Sequence, residues 1–395
     1  MSLGIFDWDV SIAGTNIADI VPEYESDISY GRTDVEDQPV PTTATINIIT
    51  RDAPDFADWM NDNYPTFQVG GINSGFVDVY ADEYEGATTS IVLGAPVTIN
   101  ANTPTGFTDV YVDEYATGDN YARFTGYITA IDYSHDRIQV TAAAPIEELT
   151  RIDVDNVFGA MTATERVTSI VNAAGASVSV EGTAPQVMCA EDDTDPTDSY
   201  RLIESVARDT ESVFYCDRAG VTHFEAESAR RTPATITLPP AATYSNDLRM
   251  NTELGYIRNR VTITYQPETR TTGKTTVEDA ASVAQYGLRD YRRSSRLQQE
   301  TDASNLAASI TSRTANPHWM MGDVTVDLSM ATDTERAAVA ALELGDTVVV
   351  PYLLPGSPVA SYQATFLGYT ETLANGAWTV VLHLADFKNA ERTLL

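Results

Sequence analysis

The side chains able to act as acid, base, nucleophile or metal ligand are numerous but poorly grouped. His135, His223, His318 and His383 each stand alone, with no second histidine or cysteine at ligand spacing. The sequence has no HExxH, GxSxG, GxGxxG or P-loop pattern, so it predicts no zinc protease, serine hydrolase or nucleotide-binding enzyme. His318, beside Trp319, reads as a packed turn residue. Cys189 and Cys216 are the only cysteines, too few for a disulfide framework; one bridge or two core thiols both fit. A glycosidase needs two carboxylates that meet in space, and among 57 acidic residues spacing alone selects no pair. The expectation is a protein without catalytic residues, cofactor or resident metal.

Three charged clusters nevertheless stand out. FVDVYADEY (76–84) and FTDVYVDEY (107–115) are a local duplication, in which Asp82, Glu83 and Glu85, or Asp113 and Glu114, offer oxygen ligands for calcium. They lack EF-hand spacing with its central glycine, and solvated acidic hairpins are the expected reading in so acidic a chain. The run AEDDTDPTD (190–198) reads as a cation site or as a solvated loop whose last aspartate caps a helix. Against this acidity LRDYRRSSR holds Arg289, Arg292, Arg293 and Arg296. Arginine forks bind carboxylates bidentately, which makes these four candidates for contact with an acidic neighbouring subunit; a solvated face paired with Asp290 and Glu300 is the alternative.

The formal net charge is −33, the pI is near 4.2, and Lys274 and Lys388 are the only lysines. Such a field repels phosphate backbones and anionic lipid, which argues against nucleic-acid binding by counterion release. A high-salt cytoplasm and a high-GC genome both fit this composition. Asp7 and Asp9 stand where a secretion signal needs a basic start, and no run reaches the roughly 18 apolar residues of a membrane span. Synthesis in a cytoplasm without membrane insertion is expected.

The elements that must carry these residues are mostly strands. At 395 residues the chain is long for one core. Residues 1–150 alternate at period two between Gly and Pro punctuation, with one short helical hint at 53–63. Past Leu149 the pattern changes. Thr162 to Glu165 is a capping box before Val167, Ile170 and Val171 on one helical stripe, stopped at Gly175. A second helix starts at Asp198 or Ser199, and SVFYCDRAGVTHFEA (212–226) is a hairpin turning at Arg218-Ala219-Gly220. From 236, strands return in YIRNRVTITY and SVAQYGLRDYRRSS, separated by a polar loop, TTGKTTVEDAAS. A helix near 302–314, the strand 322–330 and a second capping box at Thr332 to Glu335 follow. The fold class is mainly β with α+β character: two similar β-barrel domains, 1–150 and 236–395, flanking a small α/β domain, 151–235.

The two barrels are suggested by a repeat. LGAPVTI (93–99) followed by RFTGYITAIDYSHDRIQV (123–140) rhymes with LGDTVVV (344–350) followed by TFLGYTETLANGAWTVVL (365–382). Each half has a Leu-Gly turn, an apolar strand, an insertion, then Phe-x-Gly-Tyr opening a hairpin. Three chains with two such barrels make a ring of six quasi-equivalent units, so a threefold object can dock on a sixfold one.

In order along the chain, ISYGRTDVEDQPVPTTATINI (28–48), LGAPVTI with ARFTGYITAIDYSHDRIQVTAAAPIEELTRI (122–152), SVAQYGLRDYRRSS with its downstream helix (282–314) and LELGDTVVV (342–350) resemble the tail hub, or tail-tip, proteins of long-tailed phages and the related contractile-tail baseplate hubs. The resemblance implies a homotrimeric virion component at the tail tip. It would close the tail channel below the distal tail ring and contact the tape-measure protein and fibre or spike proteins, while the genome passes through its lumen unbound. Many relatives continue into fibres or wall-degrading domains, whereas this sequence ends at Leu395, as a hub core alone would. Two other readings stay open. A distal tail ring protein would be hexameric; a carbohydrate-binding adhesin or glycosidase would show aromatic platforms among Trp8, Trp59, Trp319 and Trp378, of which Trp378 falls at an expected core position.

Overall fold

Alternating apolar residues build the largest sheet of the molecule, which is curled. The computed structural model describes residues 7–12, 15–16, 24–32, 38–49, 93–102, 120–133, 137–155, 157–192, 196–240, 242–243, 250–252, 254–268, 271–317, 320–350, 362–374 and 377–386. The helical hint at 53–63, both acidic hairpins, His135, His318, Trp59, Trp319 and the side chain of Trp8 lie outside the described residues.

Strands β1 (Asp7–Ile12), β2 (Tyr24–Gly31), β3 (Thr43–Ile49), β4 (Pro96–Asn102), β5 (Asn120–Tyr133) and β6 (Arg137–Ala143) pair antiparallel in the order β2-β3-β6-β5-β4-β1. Their inward positions, among them Ile28, Ile46, Val97, Ile99 and Val140, are fully buried, as period-two patterning requires.

Two small α/β units follow. The first has helices α1 (Ala163–Ala174) and α2 (Ser199–Asp209) beside strands β7 (Ser179–Glu181), β8 (Val213–Cys216) and β9 (Thr222–Glu225). Its local signals act as read: Thr162 and Glu165 form the reciprocal capping box, Gly175 closes α1 at φ +64°, and Asp198 caps α2. After the short β10 (Thr235–Thr237), the second unit contains β11 (Arg260–Tyr265), β12 (Gly273–Glu278), helix α3 (Ala280–Tyr286), β13 (Asp290–Ser294) and helix α4 (Glu300–Thr314).

This second unit corrects two expectations. The TTGKTTVEDAAS stretch is not a loop, because β12 pairs along its whole length with β11. Val277 is its single large apolar residue, beside Gly273, Lys274, Thr275, Thr276 and Glu278, so hydrophobic periodicity is silent there. SVAQYGLRDYRRSS is half helix: Asp279 accepts from the Ser282 amide at 2.9 Å and starts α3, and Gly287 at φ +77° ends it before β13.

The chain then returns to the large sheet through β14 (Val324–Asp327), helix α5 (Asp333–Ala340), β15 (Thr347–Val350), β16 (Tyr362–Ala374) and β17 (Ala377–Asp386). One edge of β16 pairs with β17; its other edge is divided, with Tyr362 to Thr365 on β15 and Gly368 to Leu373 on β2. The strands of both rhyming halves thereby join in a single twelve-stranded half-barrel sheet. No pairing among the described residues closes either half on itself. The crossing point needs glycine on both sides. A Cβ on Gly31, at φ +83°, would stand 2.4 Å from the Leu367 carbonyl oxygen, and one on Gly368 would stand 2.3 Å from that of Tyr30.

The rhyme is partly structural. Gly94 donates to the Ile128 carbonyl at 2.9 Å and Gly345 to that of Phe366 at 3.0 Å; Ile128 and Phe366 each donate back to the residue after the glycine. The turn grammar is therefore shared, but Ile128 lies four residues past Phe124 whereas Phe366 is the motif phenylalanine itself. Relative to Phe-x-Gly-Tyr, the two halves pair in registers four residues apart.

Candidate functional site

Nothing described resembles a catalytic centre. Among the described residues no group of three His, Cys, Asp or Glu is placed to hold a metal ion. Cys189 and Cys216 are buried free thiols rather than a bridge; burial pushes Cys216 up to about 11, far from a nucleophile at neutral pH. His223 lies between two carboxylates, Nδ1 at 2.8 Å from Glu181 and Nε2 at 3.1 Å from Asp217, and the hydrogen bond with Asp217 is the main cause of its raised pKa. His383 contacts Asp323 at 2.9 Å and Thr370 at 3.2 Å. Both described histidines are thus held in local networks.

The four candidate interface arginines divide into two pairs: alternation along β13 separates Arg292 from Arg293, while Arg289 precedes the strand and Arg296 follows it. Arg292 projects from β13 into solvent and pairs with Asp290 at 2.8 Å, while Arg289 is exposed on the preceding turn. Arg293 points the other way, to the C-terminal end of α2, and donates to the Arg208 carbonyl at 2.7 Å and to Asp209 at 2.8 Å. A cation suits that helix terminus. Arg296 donates its amide to Asp209 at 2.7 Å and pairs with Glu191 at 3.0 Å, a carboxylate that Arg166 also binds at 3.0 Å. Burial raises Glu191 and the two guanidinium groups oppose the rise; burial likewise lowers Arg166. Arg293 and Arg296 therefore tie the two small units together, leaving Arg289 and Arg292 outward. The acidic loop contributes Glu191 to this junction and Asp198 as the cap of α2.

A second junction was not legible from the sequence. Arg123 occupies a bulge of β5, between Ala122 opposite Asn100 and Phe124 opposite Ile99, and the bulge turns its side chain inward. Its Nε donates to both Glu371 oxygens at 3.0 and 2.9 Å, and its Nη1 to the Ala340 carbonyl at 2.7 Å. The pair is 1% and 0% exposed. Trp378 Nε1 also donates to Glu371, which accounts for the buried indole at its core position. From the hairpin turn of the first small unit, Arg218 reaches the same Ala340 carbonyl at 2.6 Å and also donates to that of Leu342. Its guanidinium lies 5.4 Å from the ring centres of both Tyr30 and Tyr369, and Arg123 lies 4.7 Å from that of Tyr369. Burial pushes both phenols up, so they stay neutral. Three parts of the chain thus converge on one buried charged cluster, which can fix their relative positions but offers no open space for a substrate.

The fold is that of phage tail proteins. The 43 kDa tail protein of prophage MuSo2 from Shewanella oneidensis superposes with a TM-score of 0.56 at 12% identity, over 97% of this chain and 99% of that one. The tail protein from Neisseria meningitidis MC58 gives 0.59 at 11% identity, over 98% of each. No protein-family model and no curated protein matches the sequence.

Proposed function

We propose that this chain is a structural, nonenzymatic component of a viral tail, acting as the homotrimeric hub at the tail tip. The observation that carries this is end-to-end similarity to two phage tail proteins, over 97–98% of this chain and 98–99% of theirs. In this role three copies surround and gate the channel, seat against the distal tail ring, and meet the tape-measure protein on one side and fibre or spike proteins on the other. Two related strand sets per chain support it, because three copies then present six related units to a sixfold ring. The net charge of −33 fits a lumen that lets DNA slide without adhering, since like charges repel wherever screening is incomplete.

The test is the mass of the purified chain by light scattering at low and high salt, beside negative-stain images. A trimeric ring is expected, favoured by salt that screens the repulsion between acidic copies. A hexamer would move the assignment to the distal ring, and a basic lumen in a cryo-EM map would remove the sliding argument.

A further inference from the structure

Charge is spread unevenly along this chain. Residues 254–317 hold nine of its 24 Lys and Arg but only six of its 57 Asp and Glu, a net +3 that leaves −36 on the remainder. This stretch is the second small unit. One face of its sheet is covered by α4, with Val261 and Ile263 buried beneath the helix residues Leu306 and Ile310.

The other face is open and polar. Lys274, Thr276 and Glu278 of β12 and Arg292 and Ser294 of β13 are exposed, flanking the half-buried Thr262 and Thr264 of β11. Arg260 pairs with Glu278 at 2.5 Å and Arg292 with Asp290 at 2.8 Å. The side chains of Lys274 and Arg289 have no ion-pair or hydrogen-bond partner among the described residues. At the end of the same sheet Leu254, Tyr256 and Leu288 are 50%, 46% and 49% exposed. Asn259 holds that end together, donating to the Gly287 carbonyl at 2.8 Å and accepting from the Arg289 amide at 2.7 Å, so the Leu288 turn lies beside the segment that follows Tyr256.

We propose that this face and the sheet end beside it, with Lys274 and Arg292 on the face, Arg289 at the end, and Leu254, Tyr256 and Leu288 as apolar anchors, dock on the acidic surface of a second copy of this chain. The proposal rests on the oligomeric ring above and names one contact that builds it. Aromatic and aliphatic anchors beside arginine, rimmed by satisfied polar groups, are the composition of a protein interface. Charge selects the occupant: in every copy a +3 unit accompanies a remainder of formal charge −36. Nucleic acid fits less well, because two cations without a partner among the described residues neutralise few phosphates and the rest of the chain is strongly acidic.

The test uses the full-length chain in sedimentation velocity over a concentration series at 0.15 M salt. The variant Lys274→Glu/Arg289→Glu/Arg292→Glu should self-associate about 30-fold more weakly than the unaltered chain, from three attractions turned to repulsions. A control of equal charge change on exposed arginines elsewhere, Arg151→Glu/Arg201→Glu/Arg208→Glu, should associate as the unaltered chain does. A photo-crosslinking residue at Leu288 should join two copies through an acidic peptide. If the first variant assembles normally, or the control is weakened equally, the docking face is wrong while the ring stands. An unaltered chain that stays monomeric at every concentration and salt overturns the ring and the docking face together. Binding of duplex DNA that the first variant abolishes would make nucleic acid the occupant and overturn the proposal.

Discussion

Replacing Arg123 by methionine keeps most of the side-chain length and removes its charge. The loss is three hydrogen bonds, two to Glu371 at 3.0 and 2.9 Å and one to the Ala340 carbonyl at 2.7 Å. Ala340 keeps its bond from Arg218 at 2.6 Å, so the damage concentrates on Glu371, which is 0% exposed and retains the Trp378 indole as a donor. A buried ion left without its counter-ion costs about 3–5 kcal/mol. Arg123→Met should lose that much in urea unfolding followed by tryptophan fluorescence, read at the transition in which the Trp378 environment is lost. Glu371→Gln, which strands the guanidinium instead, should lose a similar amount. The double variant has no unpaired buried charge and should cost no more than the larger single change, a coupling of at least about 2 kcal/mol. High salt should barely alter these values, because neither group meets solvent. Single losses below about 1 kcal/mol, or additivity within about 0.5 kcal/mol, would refute the cluster as the element that sets the three parts of the chain in register.

Stability should also respond to His223. Its pKa is raised in the folded chain, so its contribution is fully present below the ordinary histidine value of about 6.5 and fades as pH rises through the folded value. His223→Gln should flatten unfolding midpoints measured above pH 6, and an NMR titration showing an unraised imidazole would sink this. Two glycines at positive φ should respond differently to alanine. Gly175, with nothing within 4 Å of an added Cβ, should cost about 1 kcal/mol, whereas Gly31, 2.4 Å from a carbonyl oxygen, should prevent β2 from pairing with β16. Equal melting losses for the two alanine variants would contradict the close approach described at that crossing.

What the sequence disclosed follows from the range of each interaction. Capping boxes at Thr162 and Thr332 act over three residues, and both helices start where they were read. The hairpin after Ser212 carries its own turn glycine and forms as expected. Strand β12 went unseen because threonine replaces the alternating apolar residues that mark a strand. Arg123 was legible only as a neighbour of the Phe-x-Gly-Tyr motif, since its partner lies 248 positions away and a bulge, which leaves no compositional trace, aims it. The arginine run was conspicuous, yet alternation in β13 separates only Arg292 from Arg293, and Arg296, past the strand end, is turned inward by partners distant in sequence, Asp209 and Glu191. For the Arg123 junction the sequence holds only a partial signal: an arginine on the inward side of a strand must find a counter-charge, but nothing local names which one.

The pairing of β2 with β16 also sets a clock on synthesis. Gly31 meets Gly368, so the outer edge of β2 waits for about 340 further residues to be made. At about 5–20 residues per second that is roughly 20 to 70 s during which an edge carrying Ile28 and Tyr30 has no strand beside it. Nascent chains crowded on one message present such edges to one another, the arrangement that favours mispairing between copies. The chain thus depends on its last strands to seal its first ones, and a polypeptide truncated before Gly368 leaves the ribosome with that edge open.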